Sequence, residues 1–307
     1  MLAAPLFAGD PRYQLSGRLA PPQQPHTLIS LFGALEPFEA TTESDGEHYR
    51  FRNLRAGTYT VALYVPGLGE ARQTVEVGRG TADGQRRVTF DLQFKESDFV
   101  LNDAVRRRNT VSTRQLAISD VALNEYRQAA KDLEKHEVDS AVNRLEHAVQ
   151  LAPQFADAWN TLGTIAYQTQ RYARAEQCFR NALEQDPRAY EPLVNLGGVL
   201  INNGKLEHAL IYNQDAVLQR PNDALANSQL GLTYFQLGNF DLAVKFLEIA
   251  RRIDPAHFSH PQLVLAEIHL RRGENHAAAE VLEDFVQHHP DYPTADKIRE
   301  NIVKLRQ

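Results

Sequence analysis

Residues 156–187 read ADAWNTLGTIAYQTQRYARAEQCFRNALEQDP, two apolar-periodic segments on either side of a short polar turn. Trp159, Leu162, Gly163 and Ala166 mark the first segment; Ala175, Phe179 and Ala182 mark the second. Such i, i+3, i+4, i+7 spacing stacks side chains on one face of a helix. Gly163, Ala175 and Ala182 are small enough to let two antiparallel helices approach closely, and Trp159 and Phe179 fill the space beside them. A helical hairpin this short cannot bury its apolar faces alone, so the pattern demands neighbours.

The neighbours are in the sequence. Prolines stand at Pro153, Pro187, Pro221, Pro255 and Pro290, at intervals of 34, 34, 34 and 35 residues. Leu196-Gly197 and Leu230-Gly231 fall in register with Leu162-Gly163. Ala141, Ala209, Ala243 and, one residue late, Ala278 align with Ala175; Ala148, Ala216 and Ala250 align with Ala182. In period, Leu-Gly pairs, alanine columns and terminal prolines, the run resembles tetratricopeptide repeats, which implies five helical hairpins stacked into a solenoid over 120–292.

Length and composition bound the rest. A chain of 307 residues can hold two units with cores of their own. The net charge of −6 gives no bulk electrostatic case for nucleic acid. The single cysteine, Cys178, rules out an intrachain disulfide and, beside Phe179, reads as a small packed hydrophobe. No run approaches the roughly 20 apolar residues of a membrane helix. Residues 1–8, MLAAPLFA, are apolar and small but lack a charged start, and read either as a signal remnant or as a leader without consequence.

Over 9–95 the period switches from 3.6 to 2. Tyr13, Leu15, Gly17 and Leu19 alternate with other residues, as do Ile29-Leu31, Tyr49-Phe51, Tyr59-Val61-Leu63, Val75-Val77 and Val88-Phe90-Leu92-Phe94. Asp45-Gly46 between Thr42 and Tyr49 predicts a tight hairpin, and about seven short strands predict an all-β antiparallel sandwich. Thr42, Asp45, Gly46, Tyr49, Phe51, Asn53, Leu54, Gly57 and Tyr59 carry a resemblance to the carboxypeptidase regulatory-like domain, a prealbumin-like fold, with one extra residue between Gly46 and Tyr49. That resemblance implies an accessory module and no peptidase activity. Tyr13, Tyr49, Tyr59 and Tyr64 read as core or edge residues rather than as a sugar-stacking platform.

The stretch 96–119 lacks a sustained period and reads as a linker, with Arg106-Arg107-Arg108 solvated. Gly204, Gly238 and Gly273 fall at equivalent turn positions that suit a left-handed helix end. Over 293–307, Ile298, Ile302 and Leu305 define one apolar face and predict a capping helix packed on the fifth repeat.

No nucleophile elbow, phosphate-binding glycine loop or zinc-binding histidine pair is present, so the sequence predicts neither an enzyme nor a cofactor. Six of the eleven histidines (His257, His260, His269, His276, His288 and His289) crowd into 33 residues, and without companion ligands they read as surface residues rather than as a metal site. What remains is a groove. Asn160, Thr161, Thr164, Gln168, Asn195, Asn202, Gln229 and Gln236 fall on or beside one stripe of the first helices of repeats two to four. In tetratricopeptide repeats that stripe faces the concave surface, and amides there offer the paired donor and acceptor that an extended peptide backbone needs.

The chain therefore reads as multidomain: a β-sandwich, then an α-helical repeat solenoid acting as a non-enzymatic scaffold for a protein or peptide. Its expected setting is periplasmic or secreted in a bacterial envelope, with the cytoplasm as the alternative. The second functional reading is a carbohydrate- or surface-binding β part, with the solenoid as spacer.

Overall fold

The computed structural model describes residues 11–99 and 117–307. The expectations for the leader 1–8 and for Arg106–Arg108 lie outside the described residues.

Eight strands occupy the described N-terminal part: β1 (Tyr13–Ala20), β2 (Leu28–Gly33), β3 (Glu39–Glu43), β4 (His48–Leu54), β5 (Gly57–Val65), β6 (Gly69–Val77), β7 (Arg87–Thr89) and β8 (Leu92–Gln93). One sheet runs β4-β1-β7, with β8 also on β1; the other runs β3-β2-β5-β6. Alternation along each strand turns Leu15, Leu19, Ile29, Leu31, Phe51, Val61 and Leu63 inward, and one hydrophobic cluster draws on both sheets.

Four details depart from the sequence reading. The first sheet is mixed, because β1 pairs antiparallel with β4 but parallel with β7 and β8. Asp45-Gly46 is a crossing between sheets and not a hairpin: β3 is bonded to β2, and β4 to β1. The Asp45 carboxylate accepts from the Glu47 and His48 amides, and only Gly46 takes a positive φ (102°). The third is β3 itself, EATTE, which has no apolar alternation and lies at a sheet edge where β2 alone fixes it. The expected Val88–Phe94 strand also splits in two, because the chain swings across Gly17 at Phe90. A Cβ on Gly17 would stand 1.8 Å from the Phe90 carbonyl oxygen, which instead accepts from the Tyr49 hydroxyl at 2.6 Å.

Eleven helices occupy the described C-terminal part: α1 (Asp120–Glu134), α2 (Val138–Leu151), α3 (Ala156–Gln168), α4 (Tyr172–Gln185), α5 (Tyr190–Asn202), α6 (Leu206–Gln219), α7 (Ala224–Gln236), α8 (Phe240–Ile253), α9 (Pro261–Arg271), α10 (Asn275–His288) and α11 (Ala295–Leu305). The turn inside each of the five hairpins carries a left-handed residue: His136 (φ 61°), Gln170 (58°), Gly204 (69°), Gly238 (79°) and Gly273 (72°). Ala141, Ala175, Ala209, Ala243 and Ala278, and the second column Ala148, Ala182, Ala216 and Ala250, are completely buried. Ile302 is buried, with Ile298 and Leu305 packed around it in the cluster that holds the α10 core residues.

Each Leu-Gly glycine faces one residue of its partner helix. A Cβ on Gly163 would fall 2.5 Å from the Phe179 ring, on Gly197 1.9 Å from Asn213, and on Gly231 2.7 Å from Leu247. The first helices also lie against one another, α3 on α5, α5 on α7 and α7 on α9, which makes their shared side the inner face of the solenoid. Gly163→Ala should therefore cost about 1–3 kcal/mol by overpacking. Phe179→Leu in the same chain should recover part of that loss, giving a non-additive double-mutant cycle in urea denaturation. Purely additive effects would mean that the glycine serves the backbone and not the contact.

Candidate functional site

On the inner face the amides meet across repeats. Asn195 Nδ2 donates to Asn160 Oδ1 at 3.3 Å, and Asn202 Nδ2 donates to the Tyr167 hydroxyl at 3.1 Å and to its own helix at Gly198 O. Gln229 lies over Gly198, where a Cβ would sit 2.4 Å from Gln229 Nε2. Thr161 and Thr164 back-bond to Asp157 O and Asn160 O, and Tyr126 stands 3.4 Å from the Thr161 hydroxyl. The eight residues singled out from the sequence thus share one face. Their exposure differs: Asn202 and Gln236 are open, while the other six are partly covered.

The chain's own β-rich part packs on the repeats and reaches this face at Gln168. Gln168 Nε2 donates to Gly33 O at the end of β2 (2.8 Å), and β3 packs on α1. Phe38, on the β2–β3 loop, stacks on His136 with ring centroids 4.9 Å apart. Along β6 every second residue reaches the repeats. Arg72 approaches Glu191 (3.4 Å), the Thr74 amide donates to Asp254 Oδ2 (3.1 Å), and Glu76 faces His289 (3.7 Å). Just past the strand, the Gly80 amide donates to the Asp291 carboxylate (2.8 and 2.7 Å). Strand order therefore follows repeat order, with β3 at the first repeat, β2 at the second and β6 at the third to fifth. Thr74 and Ala62 point away from the β core and are still only 2% and 3% exposed.

Charge decides how this seam holds. Burial disfavours the Glu191 carboxylate, but Arg72 and Arg220 outweigh it and keep its pKa below the ordinary value. Arg220 bonds Glu191 at 3.1 Å and lies 3.6 Å above the centre of the Tyr190 ring. Burial pushes Asp254 up to about 6 against the opposing pull of its bonds to the Thr74 and Ala256 amides. Glu76 Oε2, His289 Nε2 and His260 Nδ1 are buried without a hydrogen-bond partner. Among the described residues no hydrophobic cluster spans the β-rich and helical parts.

The histidine run is not a surface feature throughout, as the sequence had suggested. His257 and His289 are buried (5% and 1% exposed), and the rings of His260 and His289 lie 4.6 Å apart beside Phe285 and Tyr292. His260 takes a left-handed conformation (φ 51°) directly before α9, in the stretch where the fifth repeat carries its extra residue. Among the described residues no group of three or more potential ligands is placed to hold a metal ion. Missed by the sequence reading are Arg72, Thr74, Glu76, Asp254, His289 and Asp291; the glycine pair Gly78 and Gly80 is the one local hint, and their role needs the partner surface to be seen.

With this geometry in hand, comparison with known proteins places the helices. Residues 126–254 match the family described as the cilia and flagella-associated protein 70 middle TPR-like domain. Anaphase-promoting complex subunit 7 of Arabidopsis thaliana is 27% identical over 161 residues, 52% of this chain and 28% of that protein. The human cell division cycle protein 16 homolog is 30% identical over 112 residues, 34% of this chain and 18% of its own length. The helical part is a run of tetratricopeptide-type repeats. Solved structures agree on the fold. PilW, described as a widely conserved type IV pilus biogenesis factor, superposes with a TM-score of 0.53 at 20% identity, over 60% of this chain and 87% of its own. A MamA fragment from Desulfovibrio magneticus RS-1 gives 0.51 at 20%, covering 58% of this chain and 99% of the fragment. The chain spans 28% or less of the two curated relatives named.

The buried histidines set a pH dependence. Burial drives His257 down to about 3 and His260 down to about 4, with His289 adding to both. The folded repeats then bind fewer protons than the unfolded chain, so this contribution is complete above pH 6.5 and is lost as pH falls below it. Asp254 works in the opposite sense, since its raised pKa favours the folded form as pH falls through 6 toward 3.8, but it is one group against two. Stability should drop from pH 7 to pH 5, and His257→Gln should remove on the order of 2 kcal/mol of that drop. Urea melts at the two pH values check it; an unchanged drop in the variant would show that His257 is not the titrating group.

Proposed function

We propose that this chain is a non-enzymatic scaffold whose tetratricopeptide-type repeats hold a segment of another protein on their inner face. The observation that carries the reading is the amide row Asn160–Asn195 and Gln229, continued by the open Asn202 and Gln236, on the face where successive first helices meet. Amides already oriented by one neighbour keep a free donor or acceptor for an incoming backbone. Protein binding also suits the kinds of relative that share the repeats. We read the β-rich part as a regulatory-like sandwich that accompanies the repeats. A carbohydrate role for it is the weaker reading, because Tyr13, Tyr49 and Tyr59 are buried and leave Tyr64 alone at the surface. A periplasmic or secreted setting goes with that assignment, and an alkaline phosphatase fusion read in the native host tests it. Among the described residues no helix is long and apolar enough to cross a membrane.

A photo-crosslinking residue at Asn202 or Gln236 should trap a protein partner in the native host, while the same residue at Ile211, exposed on the outer helix α6, should not. Crosslinks only from position 211 would move the site to the outer face. Once the trapped partner is purified, Asn195→Ala with Gln229→Ala should weaken it by roughly five- to a hundred-fold, two hydrogen bonds of about 0.5–1.5 kcal/mol each. Titration calorimetry gives the number.

A further inference from the structure

The seam along β6 has the form of a bound peptide. Residues 72, 74 and 76 engage Glu191, Asp254 and His289 in turn, at the two-residue period by which one edge or face of an extended strand meets a surface. The next contacts come from Gly78 and Gly80, both packed on the Asp291 carboxylate. A Cβ on Gly78 would stand 2.2 Å from Asp291 Oδ2, and one on Gly80 2.9 Å from Oδ1. Neither glycine has a positive φ, so the backbone there does not require glycine; the carboxylate beside it does. On the receiving side, three carboxylates face the strand, Glu191, Asp254 and Asp291, against Arg220, which already bonds Glu191, and His289, so the rim stays acidic on balance.

We infer that β6 with Gly78-Arg79-Gly80 is a resident stand-in for a partner's segment, and that this rim receives an extended, arginine-bearing segment ending in glycine-x-glycine once the β-rich part swings away. Charge complementarity selects that chemistry. Glu191, already bonded by Arg220, takes a second cation from the strand, Asp254 and Asp291 accept from backbone amides, and side chains are excluded where the chain passes Asp291. The seam is built to open: it contains no shared hydrophobic cluster, and buried atoms of Glu76 and His289 lack hydrogen-bond partners. The inference rests on the inner face being the protein-binding face, and it names what that face recognises and what guards it.

The probe is a fluorescein-labelled peptide of residues 70–81, EARQTVEVGRGT, titrated into the full chain and followed by anisotropy. Two substitutions on the resident strand, Gly78→Ala and Arg72→Glu, loosen the seam and leave the receiving residues intact. Opening is read separately by spin-label distances between Gln24→Cys and Glu207→Cys, both at exposed positions. Each opened variant should bind the peptide at least about ten-fold tighter than the unaltered chain, the scale of one charged hydrogen bond regained. Adding Asp254→Asn with Asp291→Asn to Gly78→Ala should reverse the gain, and a peptide carrying glutamate at the position of Arg72 should bind about ten-fold more weakly. The inference is overturned if neither variant lengthens the distance, or if an opened variant binds the peptide no better than the unaltered chain. Crosslinking from Asn202 and Gln236 is independent of β6, so it reports on the inner face as a binding site even when this peptide fails.

Discussion

The close approach of two helices inside each repeat is the constraint on which the rest depends. Gly163, Gly197 and Gly231 leave room for Phe179, Asn213 and Leu247, and two columns of fully buried alanines hold the same gap along the stack. With the hairpins this thin, successive first helices touch, and their shared face becomes a regular surface. Asn213 shows how strict the packing is. A completely buried amide occupies the place of a Phe or Leu, and its Nδ2 is satisfied only because Thr233 of the next repeat lies 2.9 Å away. A hydroxyl on α7 thus reads the identity of a side chain on α6, which joins neighbouring repeats by more than apolar contact.

Everything set by local backbone and repeat packing was legible in the sequence. The alanine columns, the Leu-Gly pairs, the glycine turns and the inner-face stripe follow from a 34-residue period and 3.6 residues per turn. The inward alternation of β1, β2, β4 and β5 was legible for the same reason, with a period of 2. Strand partnership was not. β1 chooses β7 some seventy residues away, and β3 presents only polar residues and a small alanine, so neither choice is encoded nearby. The same holds for Asp45-Gly46, whose local chemistry suits a hairpin while tertiary pairing sends its two flanks to different sheets.

The candidate site divides along that line. Asn195, Gln229 and their neighbours could be placed because a helix displays its own face. The seam on the same repeats could not: Arg72, Thr74 and Glu76 look like the wetted side of an edge strand, and Asp254 and Asp291 look like ordinary turn residues beside prolines. Only juxtaposition gives them a role. His289 is similar, since a histidine beside a histidine and a proline carries no sign of burial until Phe285, Tyr292 and His260 close around it.

Magnitudes then say which motion is easiest. Each side chain in the β core contributes about 1.5–3 kcal/mol when buried, and the repeats bury their own set. A seam hydrogen bond nets about 0.5–1.5 kcal/mol, while a buried polar atom left unpaired costs about 1–3. Separating the two parts therefore costs far less than unfolding either one, so it belongs to the low end of the openings available to the molecule. Asp254 sharpens the point. Burial raises its pKa to about 6, so at neutral pH the seam holds a carboxylate in its disfavoured charged form. If release returns that carboxylate to water, docking tightens as pH falls through 6 and is loosest above it. The histidines behind it run the other way, destabilising the repeats in acid, so the seam is easiest to open under the same conditions in which the repeats themselves are most secure.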